Sequence, residues 1–173
     1  DGNKLVCTAT DSYRLAKKIV ELDSTVENLI NIVIPGKNIG ELAKILNDND
    51  ENVEIHIFSN KILFKFDNIL FQSRLLNGTF PDTSRLIPDT FELEIKTDLD
   101  ELYSVIDRAA LLTSEKEKNV IKFETNENEA IVSSNTPEIG RVEERLAITK
   151  NNDKEIKIAF SSKFMMEALK TIN

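Results

Sequence analysis

Segments in which apolar and polar residues alternate with a period of two recur along this chain. "NVEIHIF" sets Val53, Ile55 and Ile57 on one side and Glu54 and His56 on the other. "KILFKF" aligns Ile62, Phe64 and Phe66, and "FELEIK" aligns Phe91, Leu93 and Ile95 against Glu92, Glu94 and Lys96. "RVEERLAI" and "EIKIAF" follow the same rule. Successive strand residues point to opposite faces, so these runs predict half-buried strands with one face on a core. "NENE" and "NNDK" read as turns between strands, and "NDNDEN" (47–52) as a polar loop after a helix. Pro35, Pro81, Pro88 and Pro137 fall at element edges, where a missing N–H costs little.

Three segments switch to helical period. Ile39, Leu42, Ile45 and Leu46 share a face in 37–46. Leu99, Leu102, Tyr103, Ile106 and Ala110 do so in 98–110, with Asp98 as N-cap, and Met165, Ala168, Leu169 and Ile172 do so in 163–172, with Ser161 or Ser162 as cap. The helix starts recur at about 60–65 residues, a spacing that suggests repeated units. Shifting the chain on itself lays "IPGKNIGELAKIL" (34–46) on "FSSKFMMEALKTI" (160–172), with Lys37 on Lys163, Glu41 on Glu167 and Lys44 on Lys170. Each unit reads strand, helix, then three or four strands.

Positions i, i+4 and i+7 lie on one side of a helix. Lys37, Glu41 and Lys44 therefore stand opposite Ile39 and Leu42, Lys163, Glu167 and Lys170 repeat the arrangement, and Arg108 stands opposite Leu99 and Ile106. Such stripes are either solvated faces with Glu–Lys pairs or weakly basic surfaces facing a polyanion. Leu111 and Leu112 fall off the apolar stripe of the middle helix. They are either tucked under the following "TSEKEKN" loop or part of a protein–protein contact.

Composition narrows the classes. With 173 residues, 40% of them hydrophobic, the chain suffices for one ordinary domain or two small ones. No apolar run is long enough to cross a bilayer. A single cysteine, Cys7, excludes an intramolecular disulfide framework and suits a reducing cytosol, so a cytoplasmic location is expected. Residue 1 is Asp and the chain opens close to a strand-like segment, as a fragment of something longer would. A net charge of −8 argues against a surface that coats nucleic acid as a whole, but leaves room for a local basic stripe. Catalytic chemistry has little to draw on. His56 is the sole histidine and Cys7 the sole cysteine, no metal-ligand spacing or phosphate-cradling glycine motif occurs, and the carboxylates scatter. Neither a cofactor nor a metal is expected.

"ATDSYRLA" (9–16) interrupts this pattern by placing Asp11 and Arg14 around Tyr13. A catalytic site, a structural turn closed by an ion pair, and a docking pocket are the three readings of it. Together with "IPGKNIGELAKIL", "LLNGTFPDTSRLIP", "RAALLTSEKEKNVIKF" and "SSKFMMEALK", in that order, it resembles the bacterial DNA polymerase sliding clamp family, the beta subunits of DNA polymerase III. The resemblance covers nearly the whole chain, and "TDSYRLA" and "GTFPDTSRLIP" are its specific parts. It implies an α+β DNA-clamp fold of repeated strand–helix–strands units, with antiparallel sheets and helices on one face. Residues 1–88 would be the second half of the middle module and 89–173 the first part of the third, packed on each other or exchanged between chains.

The same resemblance implies a non-enzymatic processivity factor. Its homodimeric ring encircles duplex DNA without sequence preference, tethers the polymerase and has no membrane role. "TDSYRLA" and "FPDTSRLIP" would form a hydrophobic pocket for short linear peptides of polymerase subunits, clamp loader and repair proteins. The pocket wall carried over is Thr10, Tyr13, Arg14, Leu15, Pro81, Arg85 and Leu86, with Ser12 and Tyr13 standing where the family more commonly has Gly-His. Lys37, Lys44, Arg108, Lys163 and Lys170 would face DNA from helix faces turned away from the sheets, and Leu111 and Leu112 would match the subunit-interface apolar pair. The runner-up is a generic repeat-built protein-binding scaffold with no DNA role, and a carboxylate-dependent enzyme is a remote third.

Overall fold

The computed structural model describes residues 2–26, 30–46, 52–113, 119–137 and 140–172. Most of the "NDNDEN" loop and the centre of "TSEKEKN" lie outside the described residues. Two compact units, Asp1–Ile87 and Pro88–Asn173, divide the chain.

The first unit opens with a long hairpin of β1 (Gly2–Thr10) and β2 (Leu15–Val26), which pair only with each other. Strand β2 carries Lys17, Lys18, Glu21 and Asp23 and β1 carries Lys4, and no described residue of the ribbon is fully buried. Helix α1 (Gly36–Ile45) follows, then an antiparallel meander of β3 (Glu54–Ile57), β4 (Lys61–Phe66) and β5 (Ile69–Arg74). The alternation of "KILFKF" works as its period demands: Ile62, Phe64 and Phe66 are buried, and with Leu42 of α1 they form the core of this unit. Phe64 meets Phe71 across the β4–β5 ladder in a tilted ring contact with centroids 6.3 Å apart. Asn38 of α1 donates a 2.8 Å hydrogen bond to the buried Ser73 hydroxyl of β5, tying helix to sheet by a polar contact as well. "NVEIHIF" behaves otherwise. Val53, Ile55 and Ile57 stay exposed: β3 is an edge strand, and the core around Leu42 draws on β4, Phe71 of β5, Leu75, Ile32 and Ile34 but on no residue of β3.

The second unit contains β6 (Ile95–Lys96), α2 (Leu99–Ala110), β7 (Val120–Thr125), β8 (Glu129–Thr136), β9 (Gly140–Ala147), β10 (Thr149–Lys150), β11 (Lys157–Ser161) and α3 (Ser162–Leu169). Its main sheet is antiparallel in the order β11-β7-β8-β9. One face presents Ile121, Phe123, Ala130, Val132 and Leu146 to Val105, Ile106 and Ala109 of α2 and Leu169 of α3. Asp98 caps α2 by accepting from the Glu101 N–H at 2.9 Å, and Ser161 caps α3 through the Phe164 N–H at 3.5 Å. Helix α3 stops at Leu169, short of the 172 that periodicity suggests, where turn bonds such as Thr171 Oγ1 to the Ala168 carbonyl (2.7 Å) replace the helical ladder.

"FELEIK" corrects another expectation. Only Ile95 and Lys96 pair as a strand, with β10. Upstream, side chains of the "NNDK" turn take over the role of a partner strand. Asn151 Oδ1 accepts from the Glu94 N–H (2.9 Å), Asn152 Nδ2 donates to the Glu92 carbonyl (3.0 Å), and Lys154 pairs with the Glu92 carboxylate. Phe91 is left exposed.

Candidate functional site

"TDSYRLA" forms the tip of the β1–β2 hairpin. Thr10 and Leu15 are the last paired residues, and Asp11 to Arg14 close the loop. One Asp11 oxygen accepts from the N–H groups of Tyr13 and Arg14, both at 3.1 Å, and the other accepts from Arg14 Nε at 3.0 Å. The Tyr13 N–H, foremost, and then the Arg14 contacts hold the Asp11 carboxyl below its ordinary value. Thr10 Oγ1 donates to the Arg14 carbonyl at 2.8 Å and accepts from the Ser12 N–H at 3.2 Å. Ser12 adopts φ 75°, in the left-handed region that glycine occupies at least cost. The ion pair of a structural turn is therefore present, and it consumes Asp11. Its geometric result is to hold Tyr13 out, 73% exposed, while Leu15 is half-buried at the base of the loop.

The second motif, "FPDTSRLIP", lies in the same unit up to Ile87. Asp82 Oδ1 accepts from the Ser84 N–H at 2.9 Å, which lowers its pKa, and the Leu86 N–H donates to the Thr83 carbonyl at 3.1 Å. This turn leaves Pro81, Arg85 and Leu86 exposed, Leu86 by 64%. Each motif is thus a local turn that presents apolar area and an arginine.

The five basic positions fare differently. Lys37 and Lys163 are exposed on α1 and α3. Lys44 donates to Glu41 at 2.9 Å, the pair expected of a solvated stripe. Lys170 lies 5.9 Å from the centroid of the Tyr103 ring, a cation–π distance between α3's end and α2. Arg108 departs from the expectation that it points away from the sheet. It reaches the edge strand β9 and donates to Glu144 Oε2 at 2.8 Å. This bond holds the Glu144 carboxyl below its ordinary value and raises Arg108.

Leu111 and Leu112 follow the last turn of α2. Leu111 is 75% exposed and Leu112 half-buried. The carbonyls of a helix's last turn lack partners within the helix. Here Ser134 Oγ of β8 donates to the Ala109 carbonyl at 2.8 Å, Thr113 Oγ1 to that of Ala110 at 2.7 Å, and Thr136 Oγ1 to that of Leu112. These hydroxyls fix the turn that presents Leu111. Sequence reading passed over them, since Ser and Thr at alternating strand positions look like ordinary solvent-facing residues.

Catalytic readings gain nothing from the geometry. His56 Nε2 sits 3.2 Å from Glu54 on the exposed strand β3, and Cys7 is exposed on β1. Among the described residues no group of three or more His, Cys, Asp or Glu is placed to hold a metal ion, and no helix is long and apolar enough to cross a membrane.

Antiparallel sheets with helices laid on them, repeated in two units, define a protein built by repetition of one strand–helix–strands element. The chain belongs to the DNA polymerase III beta subunit family: residues 1–82 match the family's central domain and residues 84–173 its C-terminal domain. It is 47% identical over 171 residues to the beta sliding clamp of Staphylococcus aureus, an alignment that covers 99% of this chain and 45% of that protein. The crystal structure of the DNA polymerase sliding clamp from Bacillus subtilis superposes with a TM-score of 0.93 at 44% identity, over 100% of this chain and 46% of the other. That of the sliding clamp from Bartonella birtlesii bound to griselimycin does so at 0.91 and 29%, over 98% and 45%. The fold is that of the DNA clamp, and the chain spans a little under half the length of the relatives it matches.

Proposed function

We propose that this chain forms part of a DNA sliding clamp, a non-catalytic processivity factor that keeps the replicative polymerase on duplex DNA and docks partner peptides. The observation that carries this reading is the end-to-end agreement with clamp structures, a TM-score of 0.93 at 44% identity over the whole chain. Residues 1–88 act as the second half of the middle module and residues 89–173 as the first part of the third. Thr10, Tyr13, Arg14, Leu15, Pro81, Arg85 and Leu86 come together as the peptide pocket, with the exposed apolar area of Tyr13 and Leu86 in support. The griselimycin-bound relative supports a ligand-accepting surface on this fold. Lys37, Lys44, Arg108, Lys163 and Lys170 face the duplex through weak phosphate contacts, and Leu111 and Leu112 serve the contact between subunits of a homodimeric ring. Loose contact suits the role, since ring closure does the holding and tight binding would oppose sliding.

The test transplants the chain into the S. aureus clamp in place of the 171 aligned residues and measures primer extension on primed circular DNA. Long products and a dimer by light scattering are expected, and short products from a correctly dimeric chimera would overturn the reading. In the same chimera, Leu86→Asp removes an apolar anchor worth about 2 kcal/mol or more, roughly 30-fold in affinity for a clamp-binding peptide. Unchanged peptide affinity with an unchanged melting curve would remove Leu86 from the pocket.

A further inference from the structure

Asn77 and Gly78 are the sole Asn-Gly pair in the chain. They stand between strand β5 and the motif "FPDTSRLIP", in a stretch that the fold leaves untied. Upstream, the Leu75 N–H donates to the Asn60 carbonyl at 3.0 Å and the Leu76 N–H to the Val33 carbonyl at 2.8 Å. Downstream, the next bond runs from the Ser84 N–H to Asp82. Among the described residues no hydrogen bond holds the Asn77 side chain, or the backbone from Asn77 to Pro81. All of these residues are exposed.

Gly78 has φ 111°, and a Cβ there would meet nothing within 4 Å. The angle restricts position 78 to glycine, since L side chains rarely adopt it. The open space leaves the Gly78 nitrogen accessible. An unheld carboxamide thus precedes a backbone nitrogen that no side chain shields, the arrangement that ring closure between the two requires.

We propose that Asn77 is a deamidation site, at which the chain converts itself to aspartate and isoaspartate with water as the co-reactant. The Gly78 nitrogen gives up its proton to solvent base and attacks Asn77 Cγ. The new C–N bond closes a succinimide ring, and the Cγ–Nδ2 bond breaks as Nδ2 takes up a proton and leaves as ammonia. Water then opens the ring. Opening at Cγ gives aspartate. Opening at the Asn77 backbone carbonyl gives isoaspartate, whose main chain runs through Cβ and Cγ. In sum, water is taken up and ammonia released, with no change of oxidation state. Either product puts a carboxylate at the entry to "FPDTSRLIP", and isoaspartate also lengthens the backbone there by a methylene. The consequence for docking rests on the pocket reading above: the path of the chain into Pro81 shifts, and peptide affinity falls as the protein ages. The chemistry at Asn77 does not rest on that reading.

The experiment incubates the full chain at mildly alkaline pH and follows its tryptic peptides by mass spectrometry. Cleavage after Arg74 and Arg85 isolates Leu75–Arg85, in which Asn77 is the sole asparagine. Cleavage after Lys122 and Arg141 isolates Phe123–Arg141, with Asn126, Asn128 and Asn135 as internal controls. Leu75–Arg85 should gain the mass of amide-to-acid exchange severalfold faster than Phe123–Arg141. Its rate should rise with pH and lie close to that of a synthetic Leu75–Arg85 peptide, with isoaspartate identified by electron-transfer fragmentation. Asn77→Gln, which would need a larger ring, should stay unconverted. Equal conversion of the two tryptic peptides overturns the proposal, as does a folded chain that keeps Asn77 intact while the synthetic peptide converts. In the chimera described above, ageing should weaken binding of a clamp-binding peptide at least about threefold, and Asn77→Gln should cancel the loss. Equal affinity of fresh and aged chimera overturns the docking consequence. A fresh chimera that binds no peptide overturns the pocket reading instead, and the mass measurement still decides the site. Circular dichroism melts of fresh and aged protein separate lost binding from lost folding.

Discussion

Leu42 is the one fully buried residue of α1, the helix that carries Lys37 and Lys44, and Leu42→Ala tests whether it alone anchors that helix. The side chain is 5% exposed and packs with Ile62, Phe64 and Phe66. Truncation removes three carbons from an apolar site, worth about 2.5 kcal/mol at roughly 0.8 kcal/mol per buried methylene-sized group. The cavity left behind adds to this, and the half-buried Ile32 and Ile34 limit the addition by relaxing toward it. A loss of about 3 kcal/mol is expected. In a unit of this size that is on the order of 15 °C in melting temperature. The chain has no tryptophan, so the assay is urea unfolding by far-ultraviolet circular dichroism, paired with amide hydrogen exchange. Protection at β4 and β5 should drop by about two decades, while protection at β7 and β8, in a core cluster that shares no residue with this one, is unchanged. Ile45→Ala, on the same helix but 39% exposed, should cost less than about 1 kcal/mol. A loss below 1 kcal/mol for Leu42→Ala, or equal losses of protection in both units, would refute the assignment of Leu42 as the anchor.

Asp98→Ala should cost about 1 kcal/mol in the second unit by freeing the Glu101 N–H, with Asp98→Asn nearly neutral, as read from thermal melts. Acid should destabilise the fold. The carboxyls of Asp11, Glu54, Asp82, Glu92 and Glu144 all lie below their ordinary values of 3.8 for Asp and 4.5 for Glu. The unfolded chain therefore binds protons first as pH falls, so this stabilisation is complete above about pH 5 and is lost through and below those values. Glu144→Gln should flatten the fall, and added salt should shrink the share that comes from the exposed pairs of Glu54 with Lys65 and Glu92 with Lys154; a melting temperature independent of pH from 6 to 3 would count against both.

Much of the fold is legible in the residues because local period and burial agree. "KILFKF", the Asp98 cap and the apolar stripe of α2 each state the same element twice, in pattern and in propensity. "FELEIK" alternates just as well, yet it forms two strand residues, since alternation cannot say whether a partner strand exists, and here Asn151 and Asn152 stand in its place. "NVEIHIF" misleads similarly about burial, because exposure depends on what covers an edge strand and not on the strand itself. At the candidate site, the Asp11–Arg14 turn follows from residue chemistry, but the redirection of Arg108 to Glu144 does not. That bond joins positions 36 apart in sequence through the register of β9, which no local pattern encodes.

The order of strands along each sheet also sets a timetable. The pairs β1–β2, β3–β4, β4–β5, β7–β8 and β8–β9 join neighbours in sequence. Hairpins of this kind close in about 1–10 μs, because little chain entropy is spent before contact is made. Strand β11 is different: it must return past β8, β9 and β10 to lie beside β7, and the Ser162 N–H and hydroxyl then lock onto the Asn119 carbonyl at 2.9 and 3.0 Å. A chain emerging from the ribosome can thus form its first ribbon and meander as they appear. The four-stranded sheet must wait until its last strand and α3 have been made, and until then the apolar face of β7 and β8 is covered by α2 alone.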